Sequence, residues 1–384
     1  MSTQDPMTEA LGRELHRRVD GLYDAPLTLD DVRGRARSIR RRRTGIAAGV
    51  AAAAVAAALV VPAALSGSLD RADGPEPAPP APARSAHTAV LHDGRVTMPD
   101  GATVPVALDN ADVTQLGVLT DGRILAATSR PQAIQVLSPE GSPEGTYRVT
   151  YNALTMSSDD HLAAWVDEQG RVQVLESGSA EPVALAPVPM PGEAVPTIDA
   201  VTGSDCAHGG CRVLAGDGTS TFAATTSDRA EELPRSDLRV SDVSPDGALW
   251  AVGTIPDESH QFGCAGLYDP RADRLVAKSC RTSNLTFAPD GRHLLGWRGD
   301  NNMFSDVTLL DDRLSVVGGY TPKGEVVSRA AWADDDHLLA ATVDLEDNQW
   351  SLVRVSLDGG QPEVVAGPVA GRNPDMIAEF QLSD

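Results

Sequence analysis

The feature that most restricts the fold is a phrase that recurs six times: an Asp-centred turn followed at once by an apolar run. It reads Thr120-Asp121-Gly122-Arg123-Ile124-Leu125-Ala126-Ala127 and returns as Ser158-Asp159-Asp160-His161-Leu162-Ala163-Ala164-Trp165. A degraded copy is Gly210-Cys211-Arg212-Val213-Leu214-Ala215. Ser244-Pro245-Asp246-Gly247-Ala248-Leu249-Trp250-Ala251 and Ala288-Pro289-Asp290-Gly291-Arg292-His293-Leu294-Leu295 follow, then Asp334-Asp335-Asp336-His337-Leu338-Leu339-Ala340-Ala341. Aligned on residues 126, 164, 215, 251, 295 and 340, the copies are 38, 51, 36, 44 and 45 residues apart. A period of roughly 43 residues holding several short strands is the mark of a β-propeller. Asp-Gly supplies a tight turn with positive φ, and the apolar run is the next strand, buried between neighbouring blades.

Blade number follows from closure. Trp350–Leu357, Glu363–Val369 and a lone strand, Met376–Leu382, come after the last copy. Thr88–Leu91, Arg95–Met98 and Thr103–Leu108 precede the first. One C-terminal strand with three N-terminal strands completes a seventh blade and removes the open edge. The expectation is an all-β, seven-bladed propeller over residues 88–384, with six blades as the alternative if the copy at 200–215 is not a repeat. The Ser244-Pro245-Asp246-Gly247 and Ala288-Pro289-Asp290-Gly291 phrases, each leading into an apolar strand, resemble the repeats of TolB-like and tryptophan-aspartate-repeat-like propellers. The resemblance covers roughly residues 88–384 and implies the fold rather than a partner.

Ahead of this domain the chain changes character twice. Residues 1–43 carry ten Arg against seven acids, a net of +3. No charged residue lies between Thr44 and Leu69, and the remaining 22 basic and 47 acidic residues give the rest a net of −25. The twenty apolar residues Ile46–Leu65 would span about 30 Å as a helix, the thickness of a bilayer core. Arg40, Arg41, Arg42 and Arg43 abut the run, which places the N-terminus in the cytoplasm and the bulk of the chain outside. Residues 44–66 are thus expected to form a single transmembrane helix. The rivals are a cleaved signal peptide, whose leading region would run to 43 residues, and a twin-arginine export signal on Arg42-Arg43. Residues 67–87, rich in Pro and Ala, form a semi-stiff linker. The acidity of the outer part argues against a nucleic-acid partner.

The arm at 1–43 is helical in pattern. Met7, Leu11, Leu15, Val19 and Tyr23 recur every four residues with Leu22 beside them, an apolar face opposite Glu9, Arg13, Glu14 and Arg17. A second helix starts at Thr28. A unit this short buries no core of its own, so that face meets a membrane surface or a cytoplasmic protein partner. The layout of arm, Arg cluster, membrane helix and outer propeller resembles actinobacterial single-pass proteins associated with sigma factors of the extracytoplasmic-function type. The zinc-type pattern of paired Cys is absent, since residues 1–43 hold His16 and no Cys.

The four cysteines, Cys206, Cys211, Cys264 and Cys280, all lie in the outer domain, which favours two disulfides. The turn-like middle of Ala265–Ser279 folds Cys264 against Cys280, leaving Cys206 for Cys211; a metal site using His208 is the rival. No nucleophile elbow, phosphate loop, zinc-protease helix or EF-hand loop is present. His161, His293 and His337 occupy similar places in three copies, which repetition explains. Asp334–Asp336 and Asp109–Asp112 read as solvated turns rather than calcium ligands. Trp165, Trp250, Trp297, Trp332 and Trp350 read as blade packing. The sequence therefore nominates no catalytic, cofactor or metal residue. The expected function is non-catalytic binding of a protein or small ligand outside the membrane, coupled to a cytoplasmic partner such as a sigma factor. The alternatives are an envelope hydrolase or lyase, argued only from what propellers can host, and a structural envelope scaffold.

Overall fold

Short aliphatic runs cut by Gly, Asp and Pro form strands that pair with their neighbours in the chain. The computed structural model describes residues 88–384 apart from 152, 190–196, 217–219, 234, 236–237, 255–263, 299–305, 373–377 and 384. The arm, the Arg cluster, the apolar run and the linker expected over residues 1–87 lie outside the described residues. Among the described residues no helix is long and apolar enough to cross a membrane.

The described strands form seven four-stranded sheets. Blade 1 holds β1 (Val90–His92), β2 (Arg95–Thr97) and β3 (Thr103–Pro105). Blade 2 is β4 (Val113–Val118), β5 (Ile124–Ser129), β6 (Gln132–Leu137) and β7 (Pro143–Arg148). Blade 3 is β8 (Thr155–Met156), β9 (Leu162–Val166), β10 (Arg171–Glu176) and β11 (Val183–Pro187). Blade 4 is β12 (Thr197–Gly203), β13 (Cys211–Gly216), β14 (Thr221–Ala224) and β15 (Glu231–Glu232). Blade 5 is β16 (Leu238–Val243), β17 (Trp250–Thr254), β18 (Ala265–Asp269) and β19 (Arg274–Ser279). Blade 6 is β20 (Ser283–Phe287), β21 (His293–Arg298), β22 (Asp306–Asp311) and β23 (Val316–Tyr320). Blade 7 is β24 (Val326–Asp334), β25 (His337–Asp344), β26 (Gln349–Ser356) and β27 (Glu363–Ala370). The inner strand of blade 1 is the last of the chain, β28 (Gln381–Leu382), paired antiparallel with β1 through Val90–Leu382 and Leu91–Gln381. The seven-bladed reading holds, and the degraded copy near 215 is the second strand of a true blade. Of the run Met376–Leu382 expected from the sequence, Gln381–Leu382 is strand, while Met376 and Ile377 lie outside the described residues.

Each copy of the recurring phrase is the turn and second strand of a blade. Gly122, Gly247 and Gly291 have φ of 86°, 68° and 67°, the left-handed region that a side chain disfavours. In the Ser244 turn, the Ser244 hydroxyl donates to Asp246 Oδ1 at 2.7 Å and accepts from Leu249 N at 2.9 Å. The small residues that follow (Ala126, Ala164, Ala215, Ala251 and Ala340) are fully buried. Their size lets adjacent sheets approach closely. The buried apolar side chains fall into seven clusters, one at each seam between neighbouring blades. The seam between blades 7 and 1 holds Trp350, Phe380 and Leu382.

Two disulfides use all four cysteines, Cys206–Cys211 and Cys264–Cys280, with sequence separations of 5 and 16. The first closes the turn between β12 and β13; the second ties the start of β18 to the end of β19.

Phe380 is buried at the closing seam and stacks on His92 with ring centroids 4.5 Å apart. Phe380→Ala is expected to cost about 3–5 kcal/mol in chemical denaturation. Val316→Ala on an exposed outer strand should stay within about 0.5 kcal/mol. Replacing Cys264 and Cys280 by Ser is expected to cost about 3 kcal/mol, and Cys206 with Cys211 about 2 kcal/mol, since the longer loop constrains the unfolded chain more.

Candidate functional site

The inner strands surround a central cavity of about 950 Å³. Their backbones are not regular there. In β4, β12, β16 and β24 one extra residue interrupts the pairing with the second strand, at Thr114, Asp199, Ser241 and Ser328, and β20 shifts register between Ser283 and Thr286. A bulge leaves an unpaired residue and re-aims its side chain. These four bulged residues carry an oxygen-bearing side chain and line the cavity, whereas a fifth bulge, at Ala333 near the end of β24, does neither. One of the four repairs the ladder it interrupts: Thr114 Oγ1 donates to Ala127 O at 3.1 Å.

The inner residues also stitch blade to blade. Leu154 N donates to Gln115 Oε1 at 2.7 Å, and Thr155 Oγ1 to Ile198 O at 2.8 Å. Ser241 Oγ donates to Leu285 O at 2.9 Å, and Phe287 N to Asp242 Oδ2 at 2.6 Å. Arg329 of blade 7 reaches past blade 1, its guanidinium donating to Thr114 O of blade 2 at 2.7 Å.

Three carboxyls and one guanidinium line the cavity: Asp160, Asp199, Asp242 and Arg329. Asp160 holds the turn position that Gly122, Gly247 and Gly291 hold elsewhere, with φ of 55°. Asp93, Asp205 and Asp273 adopt the same left-handed backbone in other turns, and at Asp160 the carboxyl lies on the cavity wall. Burial, reinforced by the neighbouring Asp159 charge, pushes that carboxyl up to about 7. Burial also pushes Asp199 up to about 7, against the Thr197 hydroxyl and the Arg239 charge. Both therefore exchange a proton near neutrality. Two further wall residues carry buried polar atoms without a partner among the described residues, Trp332 Nε1 and Gln381 Oε1. No His, Cys, Lys or Glu is among the described residues that line the cavity.

The residues nominated from sequence fall elsewhere. His161 faces Glu176 Oε1 at 3.2 Å, His293 faces Asp290 Oδ2 at 2.8 Å and His337 faces Asp334 Oδ1 at 2.7 Å. Each pairs within or beside its own blade's turn, as repetition implies, and they do not converge. His208 is exposed and bonds Asp205 Oδ1 at 2.6 Å, while both neighbouring cysteines are in the disulfide. Asp334 is held by His337, Asp336 N and Arg354, and Asp112 pairs with Arg130 at 2.9 Å. Trp165 and Trp350 are fully buried in seams, Trp250 tilts against Tyr268, and Trp297 and Trp332 line the cavity. The apolar face Met7, Leu11, Leu15, Val19, Leu22 and Tyr23 and the topology residues Arg40–Arg43 lie outside the described residues. Asp160, Asp199 and Arg329 escaped the sequence reading. For Asp160 a signal existed, since it aligns with the glycine of the other copies.

No protein-family profile matches the chain, and no curated protein sequence does. Among solved structures it is similar to the β-propeller domain of Myceliophteria thermophila Cps50 (Swd1), at 11% identity and a TM-score of 0.48, over 67% of this chain and 86% of that one. It is also similar to the dihydro-heme d1 dehydrogenase NirN in complex with DHE, at 14% identity and a TM-score of 0.47, over 77% and 78%. These are likenesses of fold alone.

The two raised carboxyls set a pH dependence. Between about pH 4 and pH 7 the folded chain keeps protons on Asp160 and Asp199 that the unfolded chain releases, so their contribution to stability falls as pH rises through that window. Asp160→Asn/Asp199→Asn removes that loss. The melting temperature of the double variant, measured from pH 4 to 8, is expected to gain on the native protein as pH rises and to level off above 7. Parallel curves would contradict the assignment.

Proposed function

We propose that this chain is a membrane-anchored, extracytoplasmic, non-catalytic propeller that takes a ligand into its central cavity and is coupled to a protein partner through the arm at residues 1–43. The observation that carries the binding half is Asp160. Where three other copies carry a glycine, this one carries an Asp whose carboxyl stands on the cavity wall. The bulged inner strands add hydroxyls and a second raised carboxyl at the same wall. Such a surface suits a polar ligand, either cationic or rich in hydroxyls, including a basic loop of a protein.

The placement outside the membrane is supported by the pairing of all four cysteines, which a reducing cytosol disfavours. It agrees with the uncharged run Ile46–Leu65 behind Arg40–Arg43. The arm's apolar face then belongs inside, where a sigma factor is the type of partner that the resemblance in layout suggests.

A second reading, an envelope hydrolase or lyase, has one observation in its favour. Asp160 and Asp199 both titrate near neutrality, as acid–base groups do. The forces on them are separate, Asp159 acting on one and Thr197 with Arg239 on the other. That fits two binding groups better than a proton-sharing pair.

Alkaline phosphatase fused after Asp384 should be active in cells and inactive when fused after Arg43; the reverse pattern refutes the topology. Full-length chain carrying a photo-crosslinker at Leu15 should capture a cytoplasmic protein that a scrambled arm does not. A screen of the full chain by thermal shift against polyols, polyamines and basic peptides should return binders whose shift is lost in Asp160→Asn. A hit that the full chain consumes, with Asp160→Asn retaining binding and losing turnover, would establish the second reading instead.

A further inference from the structure

We propose that the central cavity is a two-point site for a linear aliphatic diamine, with one ammonium at Asp160 and the other at Asp199. This rests on the reading of that cavity as the ligand site and commits it to one class of ligand.

Charge on the wall is unevenly met. Four charged residues line the cavity among the described residues: Asp160, Asp199, Asp242 and Arg329. Asp242 is consumed by the fold, its two oxygens accepting Val243 N at 2.7 Å and Phe287 N at 2.6 Å. Arg329 is likewise held, donating to Thr114 O. Asp160 is different. No hydrogen-bond donor among the described residues reaches its carboxyl, and the one charge acting on it is that of Asp159, of the same sign. Asp199 accepts the Thr197 hydroxyl at 2.9 Å and feels Arg239, which is not among the residues lining the cavity. Neither carboxyl is acted on by Arg329. An enclosed carboxyl that faces a cavity without a counter-ion of its own is met by a cation from outside. Gln381 Oε1 adds a buried neutral acceptor without a partner, while its amide nitrogen donates to Ala378 O at 3.2 Å.

Placement calls for two ammonium groups on an aliphatic link. Asp160 lies in the turn after β8, and Asp199 is the bulged residue of β12 in the next blade. Thr155 Oγ1 donates to Ile198 O at 2.8 Å, so Asp199 stands beside the start of β8 while Asp160 follows its end. The chain from Thr155 to Asp160 spans at most about 18 Å. A single ammonium meets one carboxyl, whereas an extended diamine meets both. The same two strands put Met156 and Ile198 on the wall, apolar surface for a methylene chain. A bare metal ion is not served, since among the described residues no group of three or more His, Cys, Asp or Glu could hold one. Burial pushes both carboxyls up to about 7, so below neutrality an incoming ammonium finds them protonated. Each O–H bond then breaks as the ion pair forms, and the proton passes to the buffer base. An alkyl ammonium keeps its own proton below about pH 9, so affinity rises with pH from 5 to 8.

The probes are α,ω-diaminoalkanes of about three to ten carbons, titrated by calorimetry against the full chain in nanodiscs of uncharged lipid. Empty nanodiscs are subtracted, and two buffers of different ionisation enthalpy count the protons released. Saturable binding with an optimum chain length is expected, stronger by about tenfold or more at pH 8 than at pH 6, with roughly one to two protons released at pH 6. Asp160→Asn and Asp199→Asn should each weaken binding about tenfold at pH 8 and take about one proton from the count at pH 6. Asp312→Asn, exposed in the turn between β22 and β23, should leave both unchanged. Melting curves show that each variant is folded. Hexylamine should bind about tenfold less tightly than hexane-1,6-diamine, and hexane-1,6-diol should not compete. Absence of saturable diamine binding up to about 10 mM overturns the proposal. So does binding without proton release at pH 6, diamine affinity unchanged in both Asn variants, or equal binding of hexylamine. If polyols bind through Asp160 and diamines do not, the cavity remains the ligand site and the diamine is refuted. If neither class depends on Asp160 or Asp199, the reading of the cavity falls as well.

Discussion

The rest of the structure depends on the pairing of β28 with β1. Ala89 N donates to Ser383 Oγ across 294 residues of chain, and Ser383 N returns to Ala89 O. Bringing the ends of so long a segment together costs about 5 kcal/mol of loop entropy. Two ladder pairs would not offset that alone. The offset comes from the seam they complete, where Phe380 and Leu382 are buried against Trp350. Closure also removes the two free sheet edges that an open array would present. It makes the inner strands a continuous wall, so the cavity exists only because the chain's ends meet.

Within that ring, the repeated turn makes chemistry legible by its exceptions. Four of the six turns, at Asp121, Asp159, Asp246 and Asp290, share one construction: the Asp carboxylate accepts the backbone N–H two residues on, and the left-handed residue between them reverses the chain. Where glycine fills that last position the turn is silent. Where Asp160 fills it, a carboxyl appears on the cavity wall. The same logic applies to the inner strands. A regular ladder points side chains alternately into the two flanking seams, and the bulges at Thr114, Asp199, Ser241 and Ser328 interrupt that alternation at residues that line the cavity. The cavity wall thus differs from blade to blade through small departures from a repeated scaffold.

The scaffold was readable from the sequence because it repeats. A period near 43 residues, an Asp-centred turn and an alanine-rich second strand specify a blade, and leftover strands at both ends specify closure. The disulfides were readable because each closes a local hairpin or turn. The wall of the cavity was not. An extra residue such as Thr114 or Ser241 does not disturb the composition of a strand, so alternation alone does not reveal it. Arg329 meets Thr114 across 215 residues, a neighbour relation that exists only after closure. The two raised carboxyls are harder still, since Asp160 and Asp199 belong to different blades and share a wall only where those blades pack.

The acidity of the propeller takes on a different meaning once each carboxylate is located. Asp121, Glu176, Asp246, Asp290, Asp311 and Asp358 all accept backbone N–H groups, and those bonds help hold them below the usual carboxylate range. Glu176 does this between blades, taking Asp205 N at 2.8 Å and Cys206 N at 3.2 Å and so joining β10 to the disulfide turn. These charges are spent on reversing and joining the chain, and their number follows from the number of turns. For these six groups the charge belongs to the turns and junctions they hold. Asp160 and Asp199, whose carboxyls lie on the cavity wall, have pKa values that move the opposite way, because burial outweighs their hydrogen bonds and neighbouring charges. Net charge and site charge thus separate on physical grounds.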